Sequence, residues 1–272
     1  MRFIGVRDGR AVTVARLFDD GTAAAVAEVT DFYRDLDASR AAAAALAGGD
    51  RPRAEITEAP AVPPAARVLC VGLNYRLHAD EAGLQLPEHP AIFGRWTASL
   101  VPTGTPAPVP PGEPGWDWEV ELAVVVGRPL NRVNATTASA GVFGYAAFND
   151  LSAREHQLHS RLWTVGKNAD NSGPISEIVT ADEAGDPADG WRLTTVVNGE
   201  TVQDGSTADM VFGVGELIAY LSEVMTLQPG DVIATGTPAG VGFKRTPPRY
   251  LTAGDSVTVA VEGVGSVTTP IT

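Results

Sequence analysis

The chain has a single cysteine, no long apolar run and no excess of positive charge, and each shortage excludes something. A lone thiol, Cys70 in Val68-Leu69-Cys70-Val71, cannot close an internal disulfide, and no cysteine cluster is present to hold zinc. No run approaches the length needed to cross a bilayer. The opening segment, Met1 to Asp8, lacks the apolar stretch of a secretion signal, so a soluble cytoplasmic protein is expected. The net charge of −13 argues against a nucleic-acid backbone or an anionic membrane surface as partner. It leaves room for a small anionic substrate, because a bound metal and a few basic residues reverse the field inside one cleft. There are no charge blocks and no solenoid repeat.

What is present suggests a β-rich α+β protein. Residues 1–62 read as a small N-terminal α/β domain. Phe3 to Val6 and Ala11 to Leu17 form strands around Asp8-Gly9, and a helix over Thr30 to Ala47 ends at Gly48-Gly49. The proline-rich stretch Ala59 to Pro64 reads as a stiff linker. A larger body spans residues 67 to 272. Its expected strands are Val68 to Gly72, Glu119 to Gly127, Val142 to Phe148, Trp191 to Val197, Asp231 to Thr235 and Ser256 to Val261. Helices are expected over Tyr75 to Ala82, Ser152 to Arg161 and Val214 to Val224, and Asn198-Gly199 is a hairpin turn.

The most informative run is Trp116 to Gly127, where Asp117, Glu119 and Glu121 alternate ahead of continuous apolar residues. In a strand these three share a face. Carboxylates about 7 Å apart repel by roughly 2–2.5 kcal/mol per pair at an effective dielectric near 20. Buried, they need a cation or protons; at a solvated strand start, they need neither. Oxygen-only donors suit Mg²⁺, Mn²⁺ or Ca²⁺. In Gly72 to Glu81, His78 and Glu81 lie three apart on a helical face, as a general base with its orienting carboxylate or as a plain surface pair. Asp150 ends a strand, as a helix N-cap or a further carboxylate for a metal. Arg154 and Gln157 can face one cleft, with Arg154 holding an anion or a structural ion pair. His156 and His159 lack the partners and spacing of a zinc site. Lys167 lies in a polar loop, able to neutralise an enolate or simply to sit in water. Thr235 to Gly242 is a tight glycine loop able to hold an anion, without the spacing of a nucleotide-binding P-loop.

In this order the segments resemble the fumarylacetoacetate hydrolase family. The matching stretches are Gly72-Leu73-Asn74-Tyr75 with His78 and Glu81; Asp117 to Leu122; Asn149 to Arg154 with Gln157; Gly166-Lys167; Thr235 to Gly242; and Leu251 to Asp255. The resemblance implies a mixed β-sandwich roll, a homodimer, and Mg²⁺ or Mn²⁺ held by Glu119, Glu121 and Asp150. It implies a water-activating pair, His78 and Glu81, and a catalytic Lys167. Arg154, Gln157, Thr237, Tyr75 and Arg95 fall at substrate-binding positions. Two departures stand out. Arg95 replaces a lysine common after Phe-x in members, and Pro174-Ile175-Ser176-Glu177 keeps only the first proline of a Pro-x-Gly-Pro turn.

The implied reaction is metal-dependent carbon–carbon cleavage in a small anionic 1,3-dicarbonyl acid. Decarboxylation, tautomerisation, hydration or lyase chemistry through an enolate is the alternative. A non-catalytic binding protein on the same scaffold is the rival from another class.

Overall fold

A computed structural model describes all residues, 1–272. Its centre is the strand Val120–Val126, buried along its whole length. Val120, Leu122, Val124 and Val126 face one apolar cluster, and Ala123 and Val125 face another. A strand covered on both sides needs a continuous apolar run rather than alternation, and such a run begins at Leu122.

Around this strand lies an eleven-stranded mixed sheet. Val142–Asn149 pairs antiparallel on one side, with Val120 opposite Asn149. Val232–Ala234 pairs on the other, and Val68–Gly72 runs parallel beside it. Ala91–Arg95 closes that edge. A second sheet, in the order Glu200–Ser206, Arg192–Val197, Ser256–Val261, Gly265–Pro270, is wholly antiparallel. Its inward residues Leu193, Val257, Val259 and Val267 share a core with Leu122 and Val124. The result is a strand-rich α+β fold. Asn198 and Gly199 both take positive φ, 50° and 85°, so the hairpin turn matches the twist of its strands. No helix is long and apolar enough to cross a membrane.

The N-terminal segment departs from expectation. Its strands Arg2–Asp8, Ala11–Leu17 and Thr22–Glu28 continue the main sheet, with Arg2 opposite Val179 and Phe3 opposite Ile178. Phe3 and Phe32 pack on Phe143 with ring centres 5.6 and 5.9 Å apart. Residues 1–62 thus share a core with the body, since Phe3, Val14, Val29 and Phe32 lie in one cluster with Val125, Phe143 and Phe148. The stretch expected as a linker is drawn in too: Ala59 pairs with Gly5, and Ala61 and Val62 are buried. The single helix expected over 30–47 is two, Val29–Arg34 and Leu36–Ala45. Asp35 leaves helical geometry to cap the second by accepting from the Ala38 N–H.

Candidate active site

The antiparallel pair at the centre of the sheet builds an acidic cluster. Glu121 lies in Val120–Val126, Glu119 just precedes it, and Asp150 directly succeeds Val142–Asn149. The register continues one step past the strands: the Asp150 N–H donates to the Glu119 carbonyl at 2.9 Å. One oxygen from each of the three carboxylates lies within 4.8 Å of the others, and all three residues are buried.

Their compensation is uneven. Lys167 Nζ donates to Glu119 Oε2 and Asp150 Oδ2, both at 2.6 Å. The Arg154 guanidinium lies 2.7 Å from Glu119 Oε1. The Arg95 guanidinium is bonded to Asp150. Glu121 has no cation, only the Gly236 N–H at 3.0 Å. Burial pushes the Glu119 carboxyl up, but Lys167 and Arg154 outweigh it and hold it at about 2. Burial, then the charges of Asp150 and Glu119, pushes Glu121 well above the usual carboxylate range. Burial works against the Lys167 ammonium, yet Asp150 and Glu119 keep its pKa above the ordinary value. A buried carboxylate without a cation, beside two others offering oxygens, fits a hard divalent ion. Gly236 reaches its position with φ 92°, and a Cβ there would stand 2.9 Å from the Val71 carbonyl oxygen.

His78 and Glu81 sit on the helix Arg76–Ala82, with Nδ1 and Oε2 3.0 Å apart. The other Glu81 oxygen accepts the Gly240 N–H at 2.9 Å. With Nδ1 as the donor to this carboxylate, the neutral ring leaves the Nε2 lone pair free. Asn74 fixes the approach to this helix: its amide donates to the Thr235 and Phe212 carbonyls at 2.9 and 3.1 Å and accepts from the Phe212 N–H.

Arg154 forms the structural ion pair foreseen as one of its two roles. It binds Asp117 through Nε at 2.9 Å and donates to Gln157 Oε1 at 2.9 Å, and it also lines the cavity. Asp117 does not join the acidic trio. Regular pairing stops at Trp118, and Asp117 instead opposes Ser152 and accepts from the Gly242 and Phe243 N–H groups at 2.8 and 3.1 Å. The helix expected over 152–161 is only Arg154–Leu158, since the Ser160 hydroxyl both accepts from the Leu162 N–H and donates to its carbonyl, closing a turn. Glu113 anchors its start, accepting from the Glu155 and His156 N–H groups and from His156 Nδ1.

A cavity of about 350 Å³ opens onto this cluster. His78, Glu119, Glu121, Arg154, Gln157, Lys167 and Thr237 all line it, with Phe93, Trp163 and Phe243 as apolar wall. The Thr237 hydroxyl oxygen accepts from Gln203 Nε2 at 2.8 Å, leaving its proton to donate. Two clefts elsewhere are larger, about 430 and 390 Å³, but hold none of these residues.

Two expected substrate contacts are displaced. The Arg95 side chain is fully enclosed, committed to Asp150, Ser99 and Ser172, and stands behind the cluster rather than in the cavity. Tyr75 is also fully buried and forms no part of the wall, because it precedes the helix and faces the core beneath it. Lys167 is buried, not a solvated loop residue. Phe243, Lys244 and Trp163 are in the cavity wall but carried no motif of their own. Gly72 before Asn74 offers a faint signal for Trp163: a Cβ there would stand 2.3 Å from the Trp163 ring.

The sequence matches the family model described as fumarylacetoacetate hydrolase, C-terminal, over residues 67–272. Human mitochondrial oxaloacetate tautomerase is 41% identical over 219 residues, 79% of this chain and 69% of that protein. The 5-carboxymethyl-2-hydroxymuconate delta-isomerase of Mycobacterium smegmatis superposes with a TM-score of 0.78 at 32% identity, covering 100% of this chain and 98% of that one. Fumarylpyruvate hydrolase of Pseudomonas aeruginosa, solved with Mn²⁺ and pyruvate, gives 0.70 at 29% identity, covering 79% and 91%.

Proposed function

Since the chain belongs to the fumarylacetoacetate hydrolase family, and similar solved structures include a fumarylpyruvate hydrolase with Mn²⁺ and a delta-isomerase, we propose that it is a divalent-metal-dependent hydrolase. Its substrate is a small anionic 1,3-dicarbonyl acid of the acylpyruvate type, cleaved at a carbon–carbon bond. The observation that carries this is a cavity lined by His78, Glu119 and Glu121, where Asp150 completes the buried carboxylate cluster and Glu81 holds His78 from behind.

Glu119, Glu121 and Asp150 would hold Mg²⁺ or Mn²⁺, which polarises carbonyl oxygens as a Lewis acid when bound. His78 Nε2 takes a proton from water, with Glu81 fixing the tautomer and stabilising the imidazolium that forms. The hydroxide adds to one carbonyl, and the bond to the central carbon breaks to give an enolate and an acid. Lys167, kept charged by its carboxylate neighbours, supplies positive charge where the enolate develops. Arg154, Gln157 and Thr237, lining the same cavity, orient the substrate carboxylate.

A second reading has one specific support, the 41% identity to a protein named oxaloacetate tautomerase. There His78 would move a proton between carbon and oxygen with no bond cleaved. Proton NMR of Mg²⁺- or Mn²⁺-loaded protein with acylpyruvates and oxaloacetate separates the two. Two product fragments support hydrolysis, keto–enol exchange alone supports tautomerisation, and no change with any of them sinks both. His78→Ala should lower turnover by about 10²–10⁴-fold, while calorimetry still registers the metal. The same reading expects a homodimer, measurable by sedimentation.

A further inference from the structure

Only two of the twenty basic residues are lysine, Lys167 and Lys244, and both line the same cavity. Their surroundings differ. Lys167 is held between Glu119 and Asp150. Lys244 makes no ion pair; its Nζ stands 4.8 Å from the centre of the Phe243 ring. The Arg154 guanidinium stands 4.3 Å from the same ring. Phe243 therefore separates a cation committed to carboxylates from one that is free.

Charge counting gives the free cation a meaning. Four buried carboxylates, Asp117, Glu119, Glu121 and Asp150, meet three buried cations, Arg95, Arg154 and Lys167. A divalent ion and the one negative charge of a 2-oxo acid head group make that set neutral. Lys244 lies outside the balance, in a cavity lined also by the apolar side chains of Leu158, Trp163 and Phe243. A ligand that satisfies every group is anionic at both ends with a hydrocarbon segment between.

We propose that Lys244 is a specificity-determining residue that selects ligands with a second carboxylate remote from the 2-oxo acid group. This rests on the 2-oxo acid reading of the site given above. An ammonium on a flexible stem suits such a role, because it can track a carboxylate across several chain lengths, where a guanidinium would impose a fixed fork.

Calorimetry on the full chain with Mg²⁺ tests this using pairs that differ only in a terminal carboxylate against a methyl group. The pairs are 2-oxoglutarate and 2-oxopentanoate, 2-oxoadipate and 2-oxohexanoate, 2-oxopimelate and 2-oxoheptanoate. At the best-fitting length the diacid should bind about tenfold tighter, the size of one charge-assisted contact at a half-open site. Lys244→Met should shrink that ratio to within about twofold, and Lys244→Arg should keep most of it. A merely structural loss would weaken both members of a pair and leave the ratio alone. An equal ratio in wild type and Lys244→Met overturns the proposal, as does the absence of diacid preference at every length. The readout needs no turnover, so it separates from the reaction. A protein that prefers diacids through Lys244 yet cleaves no dicarbonyl removes the hydrolase reading only. One that cleaves dicarbonyls without diacid preference removes the role of Lys244 only.

Discussion

At the residue scale the cluster is ruled by which carboxylate lacks a cation. Glu121 carries a raised pKa in the folded protein, so its contribution to stability is complete below the unfolded value of about 4.3 and is lost as pH rises through the raised one. Glu119 works the other way. Its contribution is present above about 4.3 and lost only as pH falls through about 2. Of these two, Glu121 is the one that penalises metal-free protein at neutral pH. Glu121→Gln should raise the Tm of metal-free protein at pH 8 by a few degrees, with the gain shrinking toward pH 4, while Mg²⁺ affinity falls by about 100-fold or more. A Tm gain independent of pH would show that Glu121 is not the strained group. Arg95 differs from a substrate contact in what its loss should do. Arg95→Met strands a fully buried Asp150 with Lys167 alone, at a cost of about 3–5 kcal/mol. A clear drop in Tm is the expected result, partly recovered by Arg95→Lys. An unchanged Tm with an altered KM would return Arg95 to the substrate.

At the scale of elements, the short helix Arg154–Leu158 is too brief to hold itself and depends on its anchor. Glu113 has almost no exposed surface and gathers four donors: the N–H groups of Gly115, Glu155 and His156, and His156 Nδ1. Burial raises its carboxyl, but those bonds, led by His156, bring it below the usual value. Its stabilising effect is therefore present above about pH 4.3 and lost as pH falls through the lowered value. Glu113→Gln presents an amide N–H₂ to donors and should cost about 1–3 kcal/mol. It should also raise KM through misplaced Arg154 and Gln157. Thermal melts and kinetics of the variant check both; a lower Tm with unchanged KM would mean the anchor serves stability only. His156 takes part here as a donor to Glu113, and His159 is exposed.

At the scale of the whole molecule, the N-terminal segment and the body are one structure. Phe3, Val14, Phe32 and Tyr33 share a cluster with Val125, Phe143 and Ala146. A fragment of residues 67–272 would expose that face of the central strand's neighbours. It is expected to bind a hydrophobic dye, lose near-ultraviolet dichroism and be cut rapidly by protease, whereas the full chain resists. A well-folded, monodisperse fragment would overturn this and restore a separable N-terminal domain.

Much was legible in the chain because it is local. Alternation of acids before an apolar run fixes Glu119 and Glu121 on one face of a strand. A three-residue spacing on a helix brings His78 to Glu81. Asn198-Gly199 can hardly do other than turn. Fold class and family emerge from such short-range regularities taken in order. What the chain alone left open depends on distant segments meeting. The convergence of Asp150 and Lys167 on Glu119 comes from strand register and loop return. The departure of Asp117 to Arg154, the retreat of Arg95 and Tyr75 from the cavity, and the arrival of Lys244 on its wall are decided by packing between elements. Local backbone preference can say which face a side chain takes, but only the assembled core says whether it meets water, a counter-charge or an open cavity.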